Sequence, residues 1–404
     1  MNNLNLNKKV LIYGFIFTFF SSFGQSFFLG LFNAPIRNDL GITHGQFGSI
    51  YAVATICSSL LLIWFGKKID DYRLFYYSFF VIALLFISSL IFSFIDSVFL
   101  LALGIFLMRF SGQGLMSHTS STAISRYFER SRGKALSTIW IGLSTAEFIL
   151  PILVIYFLTI YSWKTVWHGI SIIIILILPL VIVYTIKKLN FESREENLIF
   201  KSKIKIKNWK RKEVLKDFKF YIISLNTLAM PWIFTGIAVY QSFISESKLW
   251  NIYTIPKAFM FYSIASITTL FFSGFLVDKF TSRKLILFLN IPLLISMFVL
   301  LFNNQEYSAY LFLGLIGISN GLANVLGSSI WAEIYGVKFI GGIKALTTAF
   351  MVFSTAFGTA TFGILIDKGL TIENIALIAI IYILASLTLL IAFRKSFEPI
   401  ILIK

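Results

Sequence analysis

Charge is what this 404-residue sequence has least of. Asp, Glu, Lys and Arg make up 13% of it, where a soluble domain carries about 25%. So few charges cannot keep a folded surface in water, and the chain is read as built for lipid. Cysteine is nearly absent: Cys57 stands alone, which excludes a disulfide framework and a cysteine metal cluster. The three histidines, His44, His118 and His168, are dispersed and form no catalytic or metal-binding constellation. No Walker-type glycine loop and no soluble nucleotide domain accompany the apolar segments, so an ATP-driven pump is excluded. Neither an enzyme nor a resident cofactor or metal is expected.

What fills the sequence is apolar surface, 57% hydrophobic and 17% aromatic residues. Runs of about 20 apolar residues, enough to cross a hydrocarbon core, recur along its whole length. The first begins near Val10 and passes Leu31; it is too long for a signal-peptide core, lacks a clear cleavage site and is read as a retained helix. Twelve helices are predicted, at about 10–34, 45–66, 74–95, 98–125, 134–160, 165–187, 219–243, 257–278, 284–302, 307–332, 342–366 and 373–393. With both ends placed in the cytoplasm, inside segments hold 29 Lys and Arg, outside loops hold 5, and Arg109 remains within a span. That asymmetry fixes the orientation. Compact loops and an abundance of Lys, Ile, Phe and Asn point to a multi-pass protein of a bacterial inner membrane.

The most basic stretch, KSKIKIKNWKRK at 201–212, lies between the sixth and seventh helices. It is read as a topogenic cytoplasmic linker, with anionic lipid headgroups as its natural partner and nucleic acid excluded for want of any folded module. The linker divides the chain into an N-terminal six-helix bundle (1–187), the basic linker (188–218) and a C-terminal six-helix bundle (219–404). Short matches recur between the halves at equivalent topological positions. Gly66-Lys67-Lys68-Ile69-Asp70 corresponds to Gly274-Phe275-Leu276-Val277-Asp278, and Lys134-Ala135-Leu136-Ser137-Thr138 to Lys344-Ala345-Leu346-Thr347-Thr348. An internal duplication follows.

GFLVDKFTSRK at 274–284 resembles the loop signature of the major facilitator superfamily, with GKKIDDYR at 66–73 as its degraded first-half copy. RFSGQG at 109–114, RYFERSRGKA at 126–135 and WAEIYGVKFIGGIKAL at 331–346 resemble the oxalate/formate antiporter and monocarboxylate transporter branch. The resemblance implies an all-α fold of two pseudo-symmetric six-helix bundles and secondary transport by alternating access. It also implies gating roles for Gly66, Asp70, Arg73, Gly274, Asp278, Arg283 and Lys284. The physical basis is a carboxylate at a helix end, which can accept from a neighbouring helix N-terminus and pair with Arg283 or Lys284.

Polar residues inside spans normally face protein or a water-filled cavity. Helices 3, 6, 9 and 12 are apolar all round, whereas helices 1, 4, 7 and 10 hold Gln25 and Asn33, Arg109 and Gln113, Asn226 and Gln241, Asn320 and Asn324. The former set is expected to face lipid and the latter a pathway. A helix rises about 1.5 Å per residue through a core about 30 Å thick, which puts Gln25, Arg109, Glu147, Trp232, Ser266, Asn320 and Ser354 near the midplane, where transporter substrates bind. Arg109, Gln25, Trp232, Asn320, Asn324, Ser266 and Ser354 are the candidate substrate contacts. Glu147, Arg109 and His118 are the candidates for proton coupling.

Three readings of Arg109 stand at this point. It forms a static pair with Glu147; or Glu147 takes up a proton and frees the guanidinium for an anionic substrate, whose carboxylate its planar fork suits; or Arg109 holds backbone or another helix, with Glu147 unrelated. The leading function is a secondary transporter of a small organic anion, a mono- or dicarboxylate, coupled to protons or working by exchange. Helix 8 and the interior of helix 11 lack the cation that the branch often carries, so the assignment rests on Arg109. Alternatives are a drug or metabolite exporter of the same fold, against which stands Leu150 before Pro151 in helix 5, and a non-transporting membrane receptor or scaffold.

Overall fold

A computed structural model describes residues 2–128, 132–187, 207–336 and 339–398 of the chain. They are helical throughout, with no strand among them. Eleven helices are long and apolar enough to cross a membrane, and a bent pair, Lys8–Gly24 with Ser26–Leu40, makes a twelfth span with a 44° bend. We number the spans α1 (Asn2–Ser21, continuing through Ser26–Leu29 to Asn33–Leu40), α2 (His44–Lys67), α3 (Leu74–Ser93), α4 (Val98–Tyr127), α5 (Arg132–Leu158) and α6 (Trp163–Ile186). The second half follows as α7 (Phe218–Val239), α8 (Thr254–Phe280), α9 (Ser282–Phe302), α10 (Ser308–Tyr335), α11 (Ile340–Asp367) and α12 (Ile372–Ala392).

Lipid sets the span limits, and local chemistry sets their ends. Thr43 caps α2 in a reciprocal box with Gln46, Ser162 caps α6, Asp217 caps α7 and Thr371 caps α12, each satisfying an amide that a helix start leaves free. In the linker, residues 188–206 lie outside the described residues, and with them the first half of the basic stretch. Its last part is folded: Trp209 donates its amide to Tyr335 O at 3.0 Å, and Lys207 pairs with Glu213 at 3.2 Å. The Lys210 amide and Lys207 together hold the Glu213 carboxyl below its ordinary range.

The first six spans pack among themselves and the last six likewise, giving two pseudo-symmetric bundles. On the flanks α3 packs on α6 and α9 on α12; between the bundles α2 packs on α11 and α5 on α8. Close approach relies on missing side chains. A methyl at Gly142 of α5 would collide with Phe15 O and Thr18 Oγ1 of α1, whereas one at Gly169 of α6 would meet nothing.

The span expected over 10–34 is present but broken. Gln25 is extended, at φ −82° and ψ 153°, and divides α1. Opposite the break, α4 widens into a π-helical stretch over Arg109–Met116, a deviation that clusters at functional sites. The two irregularities touch: a methyl on Gly24 would strike Met108 O and the Gly112 backbone, and one on Gly112 would strike the Gly24 backbone.

These packing contrasts give a direct check. Gly142→Ala should destabilise the protein by about 1–3 kcal/mol through overpacking against backbone, while Gly169→Ala should be neutral or slightly stabilising. Thermal unfolding of both variants in detergent reads the difference; equal melting would refute the close α1–α5 contact.

Candidate functional site

Between the bundles lies a cavity of about 490 Å³. Its wall is built from α1 (Gln25, Ser26, Phe27), α4 (Gln113), α5 (Trp140, Glu147), α7 (among others Thr227, Met230, Phe234), α10 (Asn320, Asn324, Trp331) and α11 (among others Lys344, Thr348, Met351). Helices 1, 4, 7 and 10 all contribute to the cavity wall, joined by α5 and α11 and by Leu289 of α9, a helix expected to face lipid. Lys344 stands at the basic face of the molecule, the side on which α2, α4 and α8 end and α11 begins.

On the far face the bundles are shut. Asn33 Nδ2 donates to Val239 O at 2.8 Å, and Gln241 Nε2 to Phe27 O at 2.9 Å. The Tyr240 hydroxyl lies 2.9 Å from both His44 O and Thr359 O. The Asp367 carboxylate, at the end of α11, accepts the Gly45 amide at 2.9 Å, a negative charge placed on the N-terminus of α2 where the helix dipole favours it. Gly30, Gly48 and Gly363 let backbone meet backbone here; a methyl on any of them would strike Ala238 O, Thr359 O or His44 O respectively. Every hydrogen bond between the bundles among the described residues lies on this face. The geometry is that of a cavity sealed on one side and open on the basic side.

Arg109 is buried, 2% exposed, and is not on the cavity wall. The break in α1 frees the Gly24 carbonyl, because the Phe28 amide turns to Gln25 O at 3.2 Å. Arg109 Nη1 donates to that carbonyl at 3.2 Å and to Ser26 Oγ at 3.2 Å. Tyr51 of α2 donates to the same Ser26 oxygen at 3.0 Å, and the guanidinium lies 5.3 Å from the Tyr51 ring centre. The pairing with Glu147 is thereby corrected: no ion pair joins them, and Arg109 has backbone for its partner. Glu147, 7% exposed, faces the cavity, where it is the one acid on the wall, and it has no hydrogen-bond or ion-pair partner among the described residues. Arg109 Nε is likewise buried without a partner.

The other expected contacts divide. Gln25, Asn320 and Asn324 line the cavity. Trp232 does not: its indole donates to Thr361 Oγ1 at 3.1 Å, and its ring packs on Tyr382, 4.9 Å between centres. Ser266 accepts from Asn320 Nδ2 at 2.9 Å, and Ser354 donates to Leu228 O at 2.9 Å; both bind helix to helix. His118 Nε2 lies 3.0 Å from Gly66 O, away from the cavity, as a packing contact between α4 and α2.

Of the gating set, the side chains of Asp70 and Asp278 lie outside the described residues. Arg283 lies 3.6 Å from Glu333 of α10 and also pairs with Glu398, while the Ser282 amide donates to Glu333 Oε1 at 2.8 Å; the expected pairing of Arg283 with Asp278 lies outside the described residues. Lys284 is exposed, Gly274 has open space beside it, and Arg73 lies over the Tyr76 ring at 6.0 Å. Sequence reasoning missed Ser26, Trp140, Trp331 and the far-face residue Asp367. A single acid at the end of a span was the available signal for Asp367.

The Major Facilitator Superfamily model matches residues 14–261. No curated protein matches the chain. Similar solved structures include the inward-facing, unoccupied form of a bacterial homolog of the human lysosomal transporter Spinster, at 13% identity and a TM-score of 0.71, over 97% of this chain and 98% of that one. The nucleoside transporter NupG matches at 12% identity and 0.71, over 98% and 99%. The inward-facing, occupied Spinster homolog matches at 14% and 0.63, over 98% and 96%. At such identities the likeness is one of fold.

Removing the far-face carboxylate tests the seal. An exposed carboxylate on a helix N-terminus contributes about 0.3–1 kcal/mol, so Asp367→Ala should shift the sealed-to-open ratio about two- to fivefold. A membrane-impermeant maleimide applied from the far face to a Gln113→Cys reporter, in a Cys57→Ser background, should then react correspondingly faster. An unchanged rate would remove Asp367 from the seal.

Proposed function

The chain belongs to the Major Facilitator Superfamily and has its transporter fold, and we propose that it moves a small organic anion, a mono- or dicarboxylate, together with a proton. The two bundles, 1–187 and 219–404, rock about the cavity, with both termini in the cytoplasm of a bacterial cell. The observation that carries the reading is a charge that nothing balances. Arg109 is buried beside Ser26, on the cavity wall, with no acid for partner, and Glu147, the one acid on that wall, has no cation for partner.

Isolated charges in a low-dielectric site are costly. When Glu147 is ionised, the region holds one positive and one negative charge. When Glu147 takes a proton, the guanidinium is left in excess, and a bound anion restores neutrality. Proton and anion are thus favoured together, the requirement for symport; moved against a second anion, the same site performs exchange. Gln25, Gln113, Asn320 and Asn324 supply donors to a carboxylate, and Lys344 at the open side attracts anions. The likeness of 109–114, 126–135 and 331–346 to the oxalate/formate and monocarboxylate branch supports the same class.

A second reading has its own observation: four carboxamides lining the cavity suit an uncharged polar solute equally. Uptake into vesicles separates the two. A labelled carboxylate panel, run with and without an inward proton gradient, should show saturable uptake of at least one acid, accelerated by the gradient. Glu147→Gln should retain exchange of that acid and lose the response to the gradient. Transport of neutral solutes alone would overturn the anion reading.

A further inference from the structure

Four large rings stand on the cavity wall, and three of them are already engaged. Phe27 packs on Phe259 at 5.8 Å, Phe234 stacks flat on Tyr262 at 4.9 Å and 3°, and Trp331 lies between Phe220 and Tyr335. Trp140 of α5 differs. It is half-buried, lines the cavity, packs on no other ring among the described residues, and its indole N–H has no hydrogen-bond partner among them. A membrane-embedded tryptophan normally finds a partner for both its face and its N–H. Here one side of the ring packs on the cluster of Val10, Ile124, Ala135 and Ile139, and its cavity side and its N–H are left to whatever occupies the cavity.

Met230, Pro231, Phe234 and Met351 supply apolar surface, and unbranched Met side chains adapt to the outline of a bound apolar group. Glu147 of α5 and Gln25 and Ser26 of α1 are polar, as are Thr and Asn side chains of α7, α10 and α11. Trp140 and Glu147 are seven residues apart on one helix, two turns along one face, or about 10 Å by helix rise. A formate or oxalate ion spans only a fraction of that distance. A cavity of this size, with polar and apolar side chains together on its wall, is in the range that holds organic ligands of many heavy atoms.

We propose that Trp140 is a specificity-determining residue and that the substrate is an amphipathic acid. Its flat apolar body stacks on Trp140, and its acid group reaches the Gln25–Ser26–Glu147 end of the cavity, two helical turns deeper. This deepens the anion-transport reading and rests on it only for the acid group; the stacking body follows from the wall alone.

The test uses four probes on the full-length protein in proteoliposomes, with binding read as competition against the best-transported acid and as thermal stabilisation. The probes are phenylacetate, acetate, phenylacetamide and acetamide. Phenylacetate should bind at least about tenfold tighter than acetate. Trp140→Ala should bring that ratio close to one, and Trp140→Phe should restore most of it, a pattern that loss of packing would not produce. Equal binding of phenylacetate and acetate, or a ratio untouched in Trp140→Ala, would overturn the inference. If phenylacetamide binds as well as phenylacetate, the aromatic body stands and the anion reading falls, so the two fail separately.

Discussion

A backbone carbonyl set free inside a membrane must be given a donor, and the architecture of the first bundle follows from how this chain meets that need. Breaking α1 at Gln25 leaves Gly24 O without its helical amide, a state that hydrocarbon does not tolerate. Arg109 reaches across from α4 to supply the donor and takes Ser26 Oγ with its second bond. Tyr51 of α2 joins at the same hydroxyl. Three helices are thereby tied at one point, and the pairing of Gly24 with Gly112 brings the backbones close enough for the guanidinium to span them. The break also has a use: it presents Gln25 and Ser26 to the cavity.

The same solution creates an electrostatic imbalance. A carbonyl is a good partner for a guanidinium but does not neutralise it. The positive charge stays, a short distance behind the cavity wall, while Glu147 stands on that wall without a cation. On the proposed reading, structure and transport chemistry meet here: the fold fixes one charge behind the wall and sets a carboxyl group on it. The sealed far face, with Asp367 on the α2 N-terminus and Tyr240 bridging two carbonyls, sets the direction from which that solute enters in this conformation.

Much of the fold was legible because lipid imposes it. Span limits such as His44–Lys67 and Trp163–Ile186 fall within a few residues of those read from apolar runs, since the hydrocarbon thickness dictates length. Depth was legible as well, through helix rise, which placed Gln25, Glu147 and Asn320 at cavity level. Azimuth was not. Trp232, Ser266 and Ser354 have the right depth, yet each turns toward a neighbouring helix, and only the packed bundle decides which way a midplane residue faces. The break at Gln25 and the π stretch of α4 escaped for a related reason. Neither contains proline; they arise from a glycine contact between two helices distant in sequence. Trp140 was passed over because a tryptophan in an apolar run carries no local mark of being unpartnered.

Charge balance is the centre of the account, and transport under an imposed membrane potential tests it most directly. A proton moving with a monovalent anion carries no net charge, whereas one uncompensated charge responds to 100 mV with about 2.3 kcal/mol. Initial uptake of the best-transported monocarboxylate would be measured in proteoliposomes with a potassium–valinomycin potential and a pH gradient set independently. The account predicts acceleration by the pH gradient and indifference to the potential. Uptake driven by a negative-inside potential with no pH gradient would contradict it, because the moving species would then carry a net positive charge.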